Sequence, residues 1–118
     1  MEDPVTAGRV AEAWAGLRVL RYNALRMLSG PQDGRLRPEA MIYKHCWSNW
    51  HRDLGKLALD VLGVDGDVRD ADPVHTRLQL MALSARADTI YAGTNEIQLN
   101  LIAERALGMP RAVRAGAG

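Results

Sequence analysis

The apolar residues of this chain recur at a helical period, which proline and glycine interrupt at only a few points. Side chains spaced by three, four and seven residues share one face of a helix. The first such face holds Val10, Trp14, Leu17, Leu25 and Leu28. This first helix is predicted to end at Ser29-Gly30-Pro31, because glycine tolerates a left-handed cap and proline cannot continue a helix. The residues from Gln32 to Arg37 are then predicted to form a loop.

Two further helices follow from the same pattern. Pro38 suits the first turn of a second helix, since its missing N–H costs nothing there. That helix is predicted to end at Gly63, with a turn over 63–67. Asp72-Pro73 then starts a third helix, in which the aspartate caps free N–H groups and the proline takes the first helical position.

A fourth helix completes an all-α fold. It opens at Gly93-Thr94 and closes at Gly108, with Pro110 beyond it. The residues predicted to face inward are Ile97, Leu101, Ile102 and Leu107. Four helices with short links and no alternating strand pattern predict an antiparallel four-helix bundle. The 118 residues are expected to form one domain, 1–118, with a flexible tail over 111–118.

Composition excludes several classes of partner. Lys plus Arg is 15 and Asp plus Glu is 14, and the resulting formal charge of +1 predicts no nucleic-acid partner. No apolar run approaches the roughly 18 residues of a membrane span. The start Met1-Glu2-Asp3-Pro4 is acidic and precedes no compact apolar block, so no secretory signal is visible. The single Cys46 rules out an internal disulfide and fits a reducing compartment. We therefore expect a soluble, cytoplasmic protein.

The sequence offers no pattern for metal or thiol chemistry. A carboxylate-bridged di-metal bundle needs Glu-x-x-His pairs, and no glutamate in the chain has a histidine three residues later. His45 and His51 are six residues apart, which separates them around a helix. Together with His75 they are predicted to be surface or packing residues, and no metal is expected. Cys46 beside Trp47 is expected to be a small buried hydrophobe.

Three tryptophans stand in a chain that contains no phenylalanine. The favoured interpretation is that Trp14, Trp47 and Trp50 fill the core where phenylalanine would elsewhere. The alternative is that they form an aromatic wall for a ligand or a partner helix.

The stretch from Ile90 to Gln98 is the most informative part of the chain. Gly93 lets the backbone approach another molecule closely, and the helix that follows points free N–H groups and its positive dipole end toward the same place. Thr94 or Asn95 can cap those groups, or either can donate to a bound anion or to the polar edge of a ring. Physical reasoning alone favours the ordinary N-cap.

The same stretch resembles the C-terminal signature of acyl-CoA dehydrogenases. The resemblance is carried by Tyr91-Ala92-Gly93-Thr94-Asn95-Glu96-Ile97-Gln98 and then by Ile102-Ala103-Glu104-Arg105-Ala106-Leu107-Gly108-Met109-Pro110-Arg111. A weaker resemblance runs back through 58–63 and most of the second helix. Together they cover nearly the whole chain, which looks like the C-terminal helical bundle of a family whose members also have an N-terminal helical domain and a middle β-barrel.

This resemblance implies an activity, a cofactor and partners. Acyl-CoA dehydrogenases oxidise an acyl-CoA thioester to the trans-2-enoyl-CoA with FAD and pass electrons to an electron-transferring flavoprotein. On the same resemblance, Tyr91 and Gly93 lie beside the substrate thioester, and Thr94, Asn95 and Glu96 lie against FAD. The bundle also implies an interface for a homo- or hetero-oligomer.

Two departures from the family pattern concern the catalytic base and the flavin. Ala92 stands where many relatives place the catalytic glutamate, and a methyl group cannot accept a proton, so no catalytic residue is assigned. Some relatives carry the base on an upstream helix instead. Gly63 matches a glycine that contacts FAD of a neighbouring subunit, whereas Asp60 and Val64 replace a glutamine and a second glycine there.

Three interpretations stay open. The chain is the C-terminal part of an FAD-dependent acyl-CoA dehydrogenase that is inactive alone, a non-catalytic oligomerisation module, or one subunit of a heteromeric dehydrogenase. The first depends on an open wall at Gly93 and Thr94, where the flavin and the thioester would lie.

Overall fold

All regular structure in the described residues is helical. The computed structural model describes residues 3–31, 37–66, 68 and 72–111. The four α-helices are α1 (Pro4–Ser29), α2 (Pro38–Leu62), α3 (Pro73–Ala87) and α4 (Asn95–Leu101). A 3-10 turn over Gly63–Gly66 follows α2, and a π-helical turn over Ile102–Ala106 extends α4. The predicted all-α fold of four helices is confirmed. Most of the predicted loop at 32–37, Asp67 and nearly all of the tail lie outside the described residues.

The starts of α2 and α3 lie where the sequence predicted them, and α1 begins at an aspartate cap that was not predicted. The Asp72 carboxylate accepts from the Val74 N–H at 2.6 Å, and Pro73 takes the first helical position of α3. Pro38 likewise opens α2. Asp3 caps α1 by accepting from the N–H groups of Val5 and Thr6. Local sequence therefore decides where these helices begin.

The first helix ends where predicted, but by a different backbone conformation. Gly30 has φ −79° and ψ 165°, which is extended rather than left-handed. The residue before a proline is pushed toward extended conformations by the proline ring, so Pro31 accounts for this geometry. Left-handed glycine instead ends α2 at Gly63, with φ 60°, and the last helical segment at Gly108, with φ 66°.

Helix α2 is the centre of the fold, because α1 and α3 each pack against it and, within the described residues, do not contact one another. Arg9 of α1 pairs with Asp60 near the end of α2 at 2.7 Å. Arg26 of α1 pairs with Glu39 at the start of α2 at 3.0 Å. These two ion pairs at opposite ends show that α1 and α2 run antiparallel.

The contact between α2 and α3 is close because its residues are small. A Cβ added at Gly55 would lie 3.0 Å from the Cα of Ala82 and 3.2 Å from the Cβ of Ala85. All three residues are buried. In the middle of α3, Gln79 donates to the carbonyl of Gly66 at 3.3 Å. The small residues thus allow two helix backbones to approach each other directly.

Few apolar side chains of the described residues are buried. The buried ones are Leu20, Leu57, Ala58, Ala82 and Ala85. The predicted apolar face of α1 is present but exposed, with Trp14 at 61% and Leu28 at 74%. The Cα radius of gyration is 18.3 Å, against about 13.5 Å for a compact domain of this length. Much of the apolar surface of the described residues is therefore left without a partner among them.

Three burial predictions are wrong for the same reason. Ile97 and Leu107, predicted to face inward, are 52% and 69% exposed. Cys46, predicted to be buried, is exposed on α2. Trp14 is not a core residue. Periodicity identifies a face of a helix, but a neighbouring element must cover that face before it becomes buried.

Candidate functional site

A strained turn joins α3 to α4. Ala92 has φ 54° and Gly93 has φ 103°, so two consecutive residues adopt left-handed backbone conformations. Such a conformation is unfavourable for alanine and ordinary for glycine. The Gln98 side-chain amide donates to the Ala92 carbonyl at 3.1 Å and holds the turn from the α4 side. A Cβ at Gly93 would lie 2.7 Å from that same amide nitrogen, so glycine also makes room for this hydrogen bond.

The polar residues after the turn have partners within the chain. Thr94 is the N-cap of α4, and its hydroxyl oxygen accepts from the Ile97 N–H at 3.4 Å. The Asn95 side-chain amide donates to the Asn49 side-chain oxygen of α2 at 3.0 Å. The sequence allowed Thr94 either to cap the helix or to donate to a ligand. In the structure it caps the helix. Asn95 instead joins the start of α4 to the middle of α2.

Glu96 places a negative charge at the start of α4. Hydrogen bonds from its own backbone N–H and from the Thr94 hydroxyl lower the pKa of its carboxyl group below the ordinary value. A carboxylate in the first turn of a helix also interacts favourably with the helix dipole. The carboxylate is exposed and lies beside the Thr94 hydroxyl.

The turn faces open space. Tyr91 and Ala92 are exposed, and Gly93 and Thr94 are half-buried. The corner formed by residues 91–94 is thus not covered by the other described residues, which is the condition that contact with a flavin and a thioester requires. No carboxylate occurs at residues 89–93, and Ala92 presents only a methyl group.

The buried carboxylate of Asp88 lies next to this corner. It was not among the residues predicted for the site. Asp88 is 5% exposed, and its carboxylate pairs with the Nδ1 of His51 on α2. The Lys44 ammonium donates to the Asp88 carbonyl and lies 5.3 Å from the centre of the Tyr91 ring. Interaction of the Tyr91 hydroxyl with the Asp88 carboxylate raises the pKa of Tyr91. The sequence pointed to Asp88 only as an acidic residue within 87–91, where the helical spacing of apolar residues becomes irregular.

Gly63 does not join the corner at residues 91–94. It lies 14 residues after Asn49 on α2, which corresponds to about 21 Å along a helix. Its φ of 60° at the end of α2 already requires glycine. Asp60, which replaces the glutamine of many relatives, forms the ion pair with Arg9. Val64 is exposed.

An aromatic groove lies between α1 and α2. A cavity of about 360 Å³ is lined by Trp14, Leu17, Arg18, Leu20, Arg21, Tyr43, Trp47 and Trp50. The Trp50 indole N–H donates to the Ala13 carbonyl at 2.9 Å, so part of this wall is fixed in place. Trp14 is exposed beside this groove, whereas Trp47 and Trp50 are half-buried, and an aromatic wall for a ligand or a partner helix stays a prediction.

No metal centre is assembled in the described part of the chain, where no three histidine, cysteine or acidic side chains come together. His51 stacks with both Trp47 and Trp50, with ring centroids 5.6 Å and 6.2 Å away. It is thus a packing residue, as predicted, with Asp88 as an additional partner. Across residues 3–31, 37–66, 68 and 72–111, no helix is both long and apolar enough to cross a membrane.

Comparison with known proteins relates this chain to one enzyme family. The family model described as acyl-CoA dehydrogenase, C-terminal domain, matches residues 1–107. The chain is 46% identical over 113 residues to acyl-CoA dehydrogenase IpdE1 of Mycobacterium tuberculosis, covering 93% of this chain and 28% of that protein. It is 42% identical over 113 residues to IpdE1 of Mycolicibacterium smegmatis, covering 96% of this chain and 28% of that protein. The chain therefore spans little more than a quarter of the length of these relatives.

Solved structures share the fold. The protein described as the Tcur3481-Tcur3483 steroid ACAD superposes with a TM-score of 0.80 at 23% identity, over 94% of this chain and 30% of that one. Its G363A variant gives a TM-score of 0.79 at the same identity. At this level of identity the superposition establishes the helical architecture.

Proposed function

The chain belongs to the acyl-CoA dehydrogenase family, whose C-terminal domain it matches, and from this premise we propose that it is the helical domain of an FAD-dependent enzyme. That enzyme would oxidise an acyl-CoA thioester to the trans-2-enoyl-CoA. The observation that carries the proposal is the open corner at residues 91–94, placed at the start of α4. We propose that the chain is inactive without the remainder of such an enzyme and acts in the cytoplasm.

The start of α4 fits a flat, polar ring. Gly93 has no side chain to obstruct an approaching molecule, and the exposed Ala92 adds only a methyl group. Thr94, Asn95 and Glu96 supply a hydroxyl, an amide and a carboxylate that are already oriented by hydrogen bonds within the chain. We assign these three residues to FAD, which supplies the hydride acceptor when bound. Orientation before binding reduces the entropy lost when a ligand is held.

Tyr91 and Gly93 are assigned to the acyl-CoA thioester. Tyr91 is held against the turn by its interactions with Lys44 and Asp88, so its exposed ring forms a fixed edge of the corner. The catalytic base is not assigned to this chain, because Ala92 has no group that accepts a proton. The proposal therefore places the base elsewhere in the complete enzyme.

Gly63 is proposed as a contact to the flavin of a neighbouring subunit. A Cβ added there would meet no atom within 4 Å, so the side of Gly63 that faces outward is accessible. This assignment requires an oligomer, because Gly63 is about 21 Å along α2 from the residue that contacts Asn95. An electron-transferring flavoprotein is proposed as the acceptor of the electrons.

A heteromeric or non-catalytic role is the second candidate. The observation that favours it is the exposed apolar face of α1 together with the aromatic groove beside it. A contiguous apolar surface of this kind marks an interface. The name of the similar steroid ACAD joins two components, which fits a partner chain that covers α1. In this second case the corner at residues 91–94 would serve a flavin held by that partner, or none.

The test is activity of the complete protein. In one assay a panel of acyl-CoA thioesters is added without oxygen and without an electron acceptor, and loss of flavin absorbance is followed. In a second assay an artificial electron acceptor is present, and its reduction is followed. Turnover of at least one thioester is expected. A complete protein that oligomerises but neither retains flavin nor oxidises any thioester would establish the non-catalytic module instead.

The isolated chain is expected to bind FAD weakly or not at all, and a stoichiometric yellow complex would contradict this.

A matched pair of glycine variants tests the corner itself. Gly93→Ala places a methyl group in the corner at φ 103°, and Gly108→Ala makes the same change at φ 66° with open space around it. Both variants strain the backbone, but only the first changes the corner. We expect Gly93→Ala alone to weaken acyl-CoA or flavin binding by about tenfold or more, a loss of about 1.4 kcal/mol. Equal effects would refute the assignment.

A further inference from the structure

We infer that the His51–Asp88 pair positions the corner at residues 91–94. The pair does so by attaching the turn that contains this corner to the middle of α2. The pair takes no part in the flavin or thioester contacts assigned above. The inference rests on the proposed function only for the role of the corner. The attachment of the turn to α2 rests on the contacts of Asp88 with His51 and Lys44.

Asp88 is an unusual residue for its position. It follows the last residue of α3, where side chains are ordinarily exposed, yet its side chain is 7% exposed. Burial of a carboxylate is unfavourable unless it is paired and hydrogen-bonded. The His51 Nδ1 on α2 supplies that partner. A buried pair between a turn and a helix therefore fixes the turn to the helix, because separating them would leave a charge unpaired.

His51 is itself held in place by its neighbours on α2. Its ring stacks with both Trp47 and Trp50, and the interplanar angle is 21° in both cases. The Trp50 indole is in turn fixed by its hydrogen bond to the Ala13 carbonyl of α1. A donor held in this way offers Asp88 a single position, which is a requirement for locating a turn precisely.

From Asp88 the contacts continue to the corner. The Lys44 ammonium binds the Asp88 backbone carbonyl and also lies 5.3 Å from the centre of the Tyr91 ring. The Tyr91 hydroxyl interacts with the Asp88 carboxylate. Ala92 and Gly93 follow directly, both in left-handed conformations. A left-handed backbone conformation at a residue such as Ala92 persists only when surrounding contacts stabilise it. Here Asp88 contacts the turn from one side and Gln98 from the other.

The test is hydrogen exchange, measured by mass spectrometry on the complete protein. His51→Ala and Asp88→Ala should each raise the exchange rate of the amides at residues 90–94 by about tenfold or more, because a buried partner is left unpaired or the attachment is lost. His51→Asn should restore slow exchange, since its side-chain nitrogen can donate in place of Nδ1. Asp60→Ala is the matched control, because it removes an exposed ion pair on the same helix and should leave residues 90–94 unchanged.

Several results would overturn the inference. Unchanged exchange at residues 90–94 in His51→Ala and Asp88→Ala would show that the pair does not hold the turn. An equal rise across all helices, or no recovery in His51→Asn, would show a general structural role only. If the alanine variants do not fold, His51→Phe provides the second test, because it keeps an aromatic ring beside Trp47 and Trp50 but has no nitrogen to pair with Asp88. Its exchange at residues 90–94 should rise by about tenfold or more. No rise there would equally refute it.

The outcome is separable from that of the proposed function. Hydrogen exchange is measured without flavin or acyl-CoA, so a negative result leaves the assignment of the corner intact. Conversely, an enzyme that fails to bind flavin would still report whether the pair holds the turn.

Discussion

Gly16 of α1 provides the sharpest test of how α1 and α2 fit together. A Cβ added at Gly16 would lie 2.6 Å from Cδ1 and 2.8 Å from Nε1 of Trp50. The same Nε1–H donates to the Ala13 carbonyl at 2.9 Å. Because the indole is rigid, Gly16→Ala must displace the ring or separate the helices. Either movement weakens or breaks the hydrogen bond.

The size of the effect follows from three contributions. Overpacking of this kind costs about 1–3 kcal/mol. The lost hydrogen bond costs about 1 kcal/mol. Alanine in a helix interior offsets this by about 1 kcal/mol relative to glycine. We therefore expect Gly16→Ala to lower the free energy of unfolding by about 1–3 kcal/mol.

Urea unfolding of the 118-residue chain, followed by far-UV circular dichroism and by tryptophan fluorescence, measures this change. Gly8→Ala is the matched control, because Gly8 lies on the same helix with no atom within 4 Å of an added Cβ. That substitution is expected to raise stability by about 1 kcal/mol through helix propensity alone. The two variants should therefore change stability in opposite directions.

A second background decides whether Trp50 is the cause. In a Trp50→Leu chain the flat ring is absent, so Gly16→Ala should become as favourable as Gly8→Ala. If Gly16→Ala is stabilising in the original chain, or equally destabilising in both backgrounds, then the described packing of α1 on α2 is wrong.

Three further changes test other contacts. Gly55→Ala would bring a methyl group to 3.0 Å from the Cα of Ala82, and should lower the urea midpoint by an amount equivalent to about 1 kcal/mol or more despite its better helix propensity. Gly93→Ala strains the backbone and displaces Gln98, so calorimetry should show a loss of about 1–2 kcal/mol. The hydrogen bonds that Asp3 accepts at the start of α1 lower its pKa below the ordinary 3.8. The contribution of the Asp3 carboxylate to stability is therefore fully present above pH 3.8. It is lost as the pH falls through the lower pKa of the folded state. Asp3→Asn should therefore flatten the loss of thermal stability that is expected as the pH falls below about 4.

The ends of the helices could be predicted because their causes are local. Pro38 and Asp72 act on backbone groups within a few residues, so the sequence contains everything that decides where α2 and α3 begin. The signature around Gly93 likewise depends on neighbouring residues, and its turn and N-cap lie where the pattern placed them. The family could be recognised for the same reason, since its motif is continuous in sequence.

The partners of the site residues could not be predicted in this way. His51 and Asp88 are separated by 37 residues and meet because α3 returns antiparallel along α2. Asn49 and Asn95 are separated by 46 residues and meet at the start of α4 for the same reason. No local pattern distinguishes these side chains from solvent-exposed ones.

The amino-acid sequence by itself determined the number of helices, the starts of α2, α3 and α4, and the family signature. Only the tertiary structure decided which apolar faces are covered. Trp14, Ile97 and Leu107 have the spacing of inward-facing residues, yet they are exposed, because no other element of the described chain packs over them. Periodicity reports that a face is apolar, whereas burial depends on the element that lies against that face, and within the described residues no element covers the exposed apolar faces of α1 and α4.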